Sequence, residues 1–521
     1  DKQVTPILDC IGFFYAMLIN DALSFDIVGF CNRNNLHFLG MCLCIVRIHM
    51  PSPTSCPKQC YTNRLHCFPP WIMFNLMPYT RYRFSIGSAS LFVKLIVRQS
   101  NNLVQSYLLC LTNLQYAGRM KRITDSSTNL AIHTIIQLVW NEKTITRAEL
   151  SRLSGFSRST ITANVDKLLD DGILLEKPVE GQDKRKSLVI NQNRGLFIGI
   201  EMDADCCAVG ACDIMGNLLK EQCITIDYID GPDAILKQIS HAIEALQQSL
   251  AERVTDILGI GVGLPSPVDF AGGYAVHPAF MPGWHHYPVG PKLSKLYSCP
   301  VFVDNEVNTM AFGEAFLSDQ YRGKDILFVK LGAGIGAGLI MQGCIYRGNS
   351  GMSGNIGHMR VDGNTQQCKC GKVGCLEAIA GGGALLKRAE LLAHTKQNTF
   401  LQKVVEQKGY LQFSDLKEAI KRRDSQVIQM VDESAHTIGS MVGSLVVFYD
   451  PKAVVLGGNL CEFGLQYVDS IRRAIITEAT PWIKSDFDVN VTKFGDSIGV
   501  IGSAMLCIST LIRNGAFVNE V

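Results

Sequence analysis

Gly357–Glu377 reads GHMRVDGNTQQCKCGKVGCLE. One imidazole, His358, and three thiols, Cys368, Cys370 and Cys375, fall at short spacings within it. Four nitrogen and sulfur ligands of this kind suit the tetrahedral preference of zinc. Gly371 and Gly374 stand between the last two thiols, where the freedom of glycine lets the backbone double back so that the sulfurs can converge. The CxCGxxGC spacing is not the CxxC of a thioredoxin-like redox pair. Nothing in the stretch offers an open coordination position beside a general base, so the predicted zinc is structural: it holds a loop rather than activating water. The competing reading is a turn containing buried free cysteines.

Outward from this knuckle, from Leu196 onward, apolar strand-like runs alternate with helical patterns, which predicts an α/β fold with a parallel or mixed sheet. GLFIGIEMDADCCAVGACDIMGN, from Gly195, reads as a two-stranded hairpin followed by a turn. ILGIGVGLPSPVD, from Ile257, and CPVFVDNEVNTMAFGEAF, from Cys299, are strands ending in polar residues, and the second runs on into a helix. DILFVKLGAGIGAGLIMQGCIYRG, from Asp325, is a strand, a turn rich in glycine (Gly332, Gly334, Gly336, Gly338) and a second strand. AVVLGGNL, at 453–460, closes another strand on paired glycines. Apolar strands that end in Gly or Asx at a common edge line a ligand crevice. The glycine-rich turn alone is a weak signal, because tight hairpins use the same composition.

Ahead of that region, from Met120 to about Gln192, the pattern is three helices and a hairpin. Leu130, Ile132, Ile135, Ile136 and Val139 recur at helical spacing. Thr146 and Glu149 form a capping box for a second helix, Gly155 supplies a turn, and Ser157 can cap a third helix. Ile161, Val165, Leu168 and Leu169 make the buried stripe of that third helix, with Arg158, Ser159, Thr162 and Asn164 on its other faces. Two short strands, ILLEKP and SLVIN, flank VEGQDKRK with its basic tip. This is the pattern of a winged helix-turn-helix, whose third helix enters the major groove while the wing touches phosphate. The expected DNA-contacting residues are Arg147, Ser157, Arg158, Ser159, Thr160 and Thr162, with Lys184, Arg185 and Lys186 on the wing. The bland alternative is a small helical protein-interaction module. Placement favours DNA: Asp166, Asp170 and Asp171 gather at the far end of the helix, away from the cationic and hydroxyl-bearing residues.

Residues 1–119 differ from all of this. They contain four acids (Asp1, Asp9, Asp21, Asp26), no glutamate and eight cysteines. Three readings compete: a translated upstream stretch foreign to the protein, a poorly structured extension, or a genuine extra domain. MKRITDSSTNLAIH, from Met120, has the character of a natural beginning. The longest apolar run there, FLGMCLCIV at 38–46, is half the length of a membrane-spanning helix, and no secretory signal is evident. Over the whole chain, 521 residues give room for about three to four domains. The net charge of +2 argues against a wholly basic coat, and 19 cysteines in so long a chain do not form a disulfide scaffold. A cytoplasmic setting with no membrane partner is expected.

LGAGIGAGLIMQG, GMSGNIGHMRV and, most specifically, CKCGKVGCLE resemble the family of repressors, open reading frames and kinases (ROK), which shares the actin-like sugar-kinase fold. The resemblance runs from about Met120 to the C-terminus. With a winged helix in front, the chain is most similar to the branch of xylose- and N-acetylglucosamine-type repressors. It implies a winged helix at 120–192 and a first lobe at 193–305 completed by a helix at about 498–521. A second lobe at 306–497 then carries the knuckle. It also implies that His358, Cys368, Cys370 and Cys375 bind zinc. By the same resemblance, Asn305, Glu306, Asn355, His358 and Glu377 bind a sugar, and residue types of this kind suit neighbouring hydroxyls.

Departures from the family pattern bear on activity. Family kinases carry DxGGT at the first strand pair, where this chain has Glu201–Met202–Asp203–Ala204–Asp205. Carboxylates placed where phosphate would lie repel it. The catalytic aspartate is matched by Glu306, whose extra methylene displaces a group that needs close placement. No catalytic residue is therefore expected. Asn355 stands where the family has glutamate, which alters the ligand preference. Pro265–Ser266–Pro267 and Trp284 are expected at the mouth of the crevice, with core packing the alternative for the tryptophan. The implied protein is a repressor of sugar-utilisation genes that binds an operator in double-stranded DNA as a homodimer or dimer of dimers and responds to a small sugar. The alternatives are a sugar kinase with a DNA-binding arm, and a repressor controlled by a protein of sugar transport.

Overall fold

The computed structural model describes residues 25–30, 43–48, 127–179, 182–254, 256–395, 399–480 and 486–515, without the side chains of 25–30, 43–48, 127–129, 179, 182–185 and 399. The chain divides into two compact units, Asp1–Lys121 and Arg122–Val521. In the first, strands β1 (Phe25–Phe30) and β2 (Leu43–Ile48) pair antiparallel, Phe25 opposite Ile48. The remainder of 1–119, with its three competing readings, and the start at Met120 lie outside the described residues.

The second unit begins with helices α1 (Ser127–Glu142), α2 (Arg147–Ser154) and α3 (Arg158–Asp170), then strands β3 (Leu174–Val179) and β4 (Gln182–Ile190). The local signals explain each boundary. The Thr146 hydroxyl accepts from the Glu149 N–H while Glu149 reaches back to the Thr146 N–H, a complete capping box. Gly155 closes α2 at φ 74°, a left-handed conformation that a residue with a Cβ adopts at a cost. Ser157 caps α3 by accepting from the Thr160 N–H. Ile132, Ile135, Ile136, Val139, Leu150, Ile161, Val165 and Leu168 fill the module's core. Three positions depart from the periodicity. Leu130 is exposed, Leu169 is half-buried, and Asn164 is buried because its Nδ2 donates to the Thr160 carbonyl one turn back.

Two five-stranded sheets follow. The first holds β5 (Leu196–Met202), β6 (Cys206–Cys212), β7 (Leu218–Thr225), β8 (Ile257–Leu264) and, beyond the short hairpin β9 (Val268–Asp269) and β10 (Tyr274–Ala275), β11 (Val301–Asn305). Its order is β11-β8-β5-β6-β7. The second holds β12 (Ile326–Leu331), β13 (Ile335–Met341), β14 (Cys344–Ile345), β15 (Ala453–Gly457) and β16 (Asp488–Val491), in the order β14-β13-β12-β15-β16. Each is built the same way: a first strand pairs antiparallel with its hairpin partner on one side and parallel with a later strand on the other. The molecule therefore contains two lobes of one topology. Helices α4 (Pro232–Ser249) and α5 (Val289–Tyr297) pack on the first sheet; α6 (Glu306–Leu317) links the sheets. Helices α7 (Leu376–Ala380), α8 (Gly382–His394), α9 (Thr399–Lys408), α10 (Phe413–Lys421), α11 (Ser425–Tyr449) and α12 (Leu465–Ala479) belong to the second lobe.

The last helix, α13 (Ile498–Asn514), returns to the first sheet. It is apolar all round because it is covered all round: on one side β5 and β8, on the other α6. Two glycines make the close approach possible. A Cβ on Gly199 would lie 1.9 Å from the Val500 carbonyl oxygen, and one on Gly261 would lie 1.7 Å from that of Ser503. Gly495–Asn514 is long and apolar enough to cross a membrane, yet it is the core helix of this lobe.

Candidate functional site

The knuckle is set by backbone first. Gly371 and Gly374 have φ of 88° and 78°, and Arg360 bridges to Cys375 while Gln367 bridges to Val373. These turns fold the loop back on the short 3-10 helix Ile356–His358. Cys370 Sγ lies 3.7 Å from Cys375 Sγ, Cys368 Sγ lies 3.7 Å from His358 Nδ1, and all four ligand atoms fall within 4.8 Å of one another. A tetrahedron with zinc–sulfur bonds of ~2.3 Å has edges of roughly 3.8 Å, so the donor set fits a metal ion in both chemistry and spacing. Cys375 is also the cap residue of α7, which places Glu377 two residues further on. Glu377 Oε2 accepts from the Ile335 N–H at 3.2 Å, and a Cβ on Gly357 would lie 3.3 Å from the same oxygen. The knuckle thus fixes His358 and Glu377 beside the start of β13. Asn355 sits just before the 3-10 helix, its Nδ2 donating to the Met352 carbonyl at 2.9 Å.

Asn305 and Glu306 stand where the first sheet runs into the helix that links the sheets. Asn305 ends β11 and caps α6, its Oδ1 accepting from the N–H groups of Val307 and Asn308. Its Nδ2 donates to Glu306 Oε2 at 2.6 Å and to the Ser266 carbonyl at 3.2 Å. Gly336, at the start of β13, packs on Val307 and so links this pair to the strand that holds Glu377. Glu306 is buried, and that burial pushes its carboxyl up to about 7 against the pull of Lys330. Glu201, beneath Gly499 at the start of α13, is pushed up to about 8 for the same reason.

Lys330 is the residue that reading the sequence missed. It lies in β12, buried along its whole length, with Nζ 2.8 Å from Asp203 Oδ2 and 3.9 Å from Glu306 Oε1. Asp203 is held below the usual carboxylate range: desolvation opposes this, but the ammonium and the hydrogen bonds from Lys330 and the Ala204 N–H prevail. The carboxylate expected to repel phosphate is therefore already neutralised from within. A second missed pair stands nearby. Asp304, buried in β11, accepts from Arg347 Nε at 2.7 Å and from Asn308 Nδ2 at 2.9 Å, and the guanidinium lies 4.0 Å over the Phe270 ring. Both pairs had a signal in the sequence, a lone charge inside an apolar strand at Lys330 and at Asp304.

Of the crevice-mouth residues, Trp284 is a correction. It is completely buried, edge-on to Tyr228 at 5.9 Å, and belongs to the first lobe's core. The indole is larger than any neighbour in that region, so filling the core outweighs display at the surface. Of the glycine-rich turn, only Gly332–Gly334 is a tight turn, closed by the Gly332 N–H on the Gly334 carbonyl. Gly336 and Gly338 lie in β13 and make room for α6.

On the winged module, Ser157, Arg158, Ser159 and Thr162 are exposed at the N-terminal end of α3, and Thr160 is half-buried. The Ser157 hydroxyl is engaged by Thr160 and Ser159. Arg147 is forked between Asp166 (2.7 Å) and Glu176 (2.9 Å), and Lys186 pairs with the same Glu176 at 2.7 Å. These two cations clasp α2, α3 and the wing together. The side chains of Lys184 and Arg185 lie outside the described residues. The module is joined to the lobes through α1. Trp140 Nε1 donates to the Ile214 carbonyl at 3.0 Å, its ring stacks on Phe316 at 4.4 Å, and His133 Nε2 lies 2.7 Å from the Ile512 carbonyl oxygen.

Comparison with known proteins agrees with this layout. Residues 130–174 match the winged helix-turn-helix DNA-binding family, and residues 197–510 match the ROK family. A xylose repressor of Caldicellulosiruptor bescii is 25% identical over 395 residues, 73% of this chain and 95% of that protein. A crystal structure of a ROK family transcriptional regulator, a homolog of the E. coli MLC protein, superposes with a TM-score of 0.65 at 20% identity, covering 76% of this chain and 99% of the other. A ROK family glucokinase from Streptomyces griseus, in complex with glucose and AMPPNP, superposes with a TM-score of 0.54 at 25% identity. It covers 60% of this chain and all of that one.

Proposed function

The chain belongs to the ROK family, and we propose that within it this protein is a DNA-binding, sugar-responsive repressor of sugar-utilisation genes whose lobes have lost kinase activity. One observation supports the reading. A single compact unit holds both a winged helix and two lobes of one topology, and the Lys330 ammonium from the second sheet sits on Asp203, in the stretch that matches the phosphate turn of family kinases. A phosphate brought there would have to displace an ion pair that is already made, and would meet Glu201 and Glu306 behind it.

In this reading Arg158, Ser159, Thr160 and Thr162 reach base edges, with Ser157 fixing the helix end. Arg147 and Lys186 set the shape of the module, and Lys184 and Arg185 touch phosphate. Asn305, Glu306, Asn355, His358 and Glu377 take the sugar hydroxyls. His358, Cys368, Cys370 and Cys375 would hold a structural zinc, which supplies cross-linking in place of a hydrophobic core in the loop. The division into 120–192, 193–305 with 498–521, and 306–497, a homodimer on a two-fold operator, and a cytoplasmic setting complete the proposal. The test is fluorescence anisotropy with labelled duplexes selected from a random library by the full chain. Titration with neutral mono- and disaccharides is expected to lower affinity for at least one sugar by about 5–150-fold, the usual range of coupling. Selection of no preferred sequence would overturn the repressor reading.

A further inference from the structure

Two ion pairs cross from one lobe to the other, both beside Asn305–Glu306. Lys330, in β12 of the second sheet, reaches Asp203, the residue that follows β5 of the first, at 2.8 Å. Arg347, just beyond β14 of the second sheet, reaches Asp304 in β11 of the first at 2.7 Å. Lys330 and Asp304 are buried, so each would lose its nearest counter-charge in a low-dielectric interior if its partner moved away. Lys330 would be left with Glu306 at 3.9 Å, and Asp304 with the amide donors of Asn305 and Asn308. Contacts this short are lost over a few ångströms of separation, which makes the paired and parted arrangements distinct rather than continuous. We propose that the Lys330–Asp203 and Arg347–Asp304 pairs form a latch that ties the two lobes to each other beside Asn305–Glu306. Any ligand that changes the separation of the lobes must break or remake these pairs.

The rival explanation is that the pairs only neutralise buried charges in an arrangement of the lobes that packing already secures. Deleting one partner does not separate the two ideas, because it strands the other charge in either case. Deleting both partners does. Amide hydrogen exchange is therefore measured on the full chain without sugar or DNA, comparing wild type with Asp203→Ala and with Asp203→Ala/Lys330→Met. A matching comparison uses Asp304→Asn and Asp304→Asn/Arg347→Met. A latch predicts that the paired variants, like the single ones, exchange at least tenfold faster at the Asp203 and Tyr346 N–H groups. These are bonded to the Cys206 and Leu339 carbonyls beside the cleft. Amides of α3 serve as the folding control and are expected to be unchanged. Return of both cleft amides to wild-type protection in the double variants would overturn the proposal. Because neither sugar nor DNA enters the measurement, its failure leaves the repressor reading intact, and the absence of any sugar response would leave the latch intact.

Discussion

At the scale of single residues, the cleft is governed by where charge is buried. Glu201 and Glu306 are pushed up to about 8 and about 7 by desolvation, while an unfolded glutamate titrates near 4.5. For an acid raised in the folded state, folding takes up protons. Its destabilising effect is absent below the unfolded value, grows between the unfolded and folded values, and is complete above the folded one. The melting temperature is therefore expected to fall between about pH 5 and pH 8, and Glu201→Gln to flatten that slope; an unchanged slope in scanning calorimetry would contradict the assignment. The knuckle makes the second prediction at this scale. One zinc per chain is expected by elemental analysis, and chelation or Cys375→Ser is expected to lower the melting temperature and to loosen Glu377, which follows Cys375 in α7. The four clustered residues were legible as letters because a metal site needs only those residue types and enough chain flexibility to gather them. The Lys330–Asp203 pair was not, since its partners are 127 positions apart and nothing local joins them.

At the scale of elements, the winged module could be read almost whole. Its capping box at Thr146 and Glu149, its Gly155 turn and its Ser157 cap are each closed within a few residues. Where the periodicity missed, at Asn164 and Leu130, the cause is a side chain satisfying its own backbone or a helix end running past its packing partner. Helix α13 is the opposite case. Its composition suits a membrane as well as a core, and only the glycines of β5 and β8 reveal what it packs against. Gly261→Ala places a methyl 1.7 Å from a carbonyl oxygen that belongs to a buried helix. The expected loss is about 1–3 kcal/mol, the usual cost of overpacking, with a lower urea midpoint at unchanged m-value.

At the scale of the whole molecule, α1 belongs to two structures at once. Its inner face fills the winged module, while Trp140 and His133 bind it to Ile214, Phe316 and Ile512 of the lobes. Phe316 lies near the C-terminal end of α6 and Ile512 near that of α13. The N-terminal ends of these helices meet Glu306 and Glu201. A change in the cleft thus has two rigid rods by which to reach the DNA-binding module. Trp140→Phe keeps the apolar ring but removes the hydrogen bond to Ile214. It is expected to preserve operator affinity while reducing its response to sugar several-fold, measured by anisotropy with and without the effector. A full response in this variant would place the coupling elsewhere.

The sequence by itself determined the chemistry that is local: a cluster of one histidine and three cysteines suited to a metal ion, a helix-turn-helix written in caps and turns, and a succession of apolar strands ending in glycine or polar residues. Such features depend on residues close along the chain, where covalent geometry leaves few alternatives. Tertiary structure alone decided that Trp284 fills the core, that Arg147 clasps the module, that two lobes repeat one topology, and that Lys330 and Arg347 tie them across the cleft. These outcomes depend on which distant surfaces are brought together and which charges are thereby removed from water. No short stretch of chain carries that information.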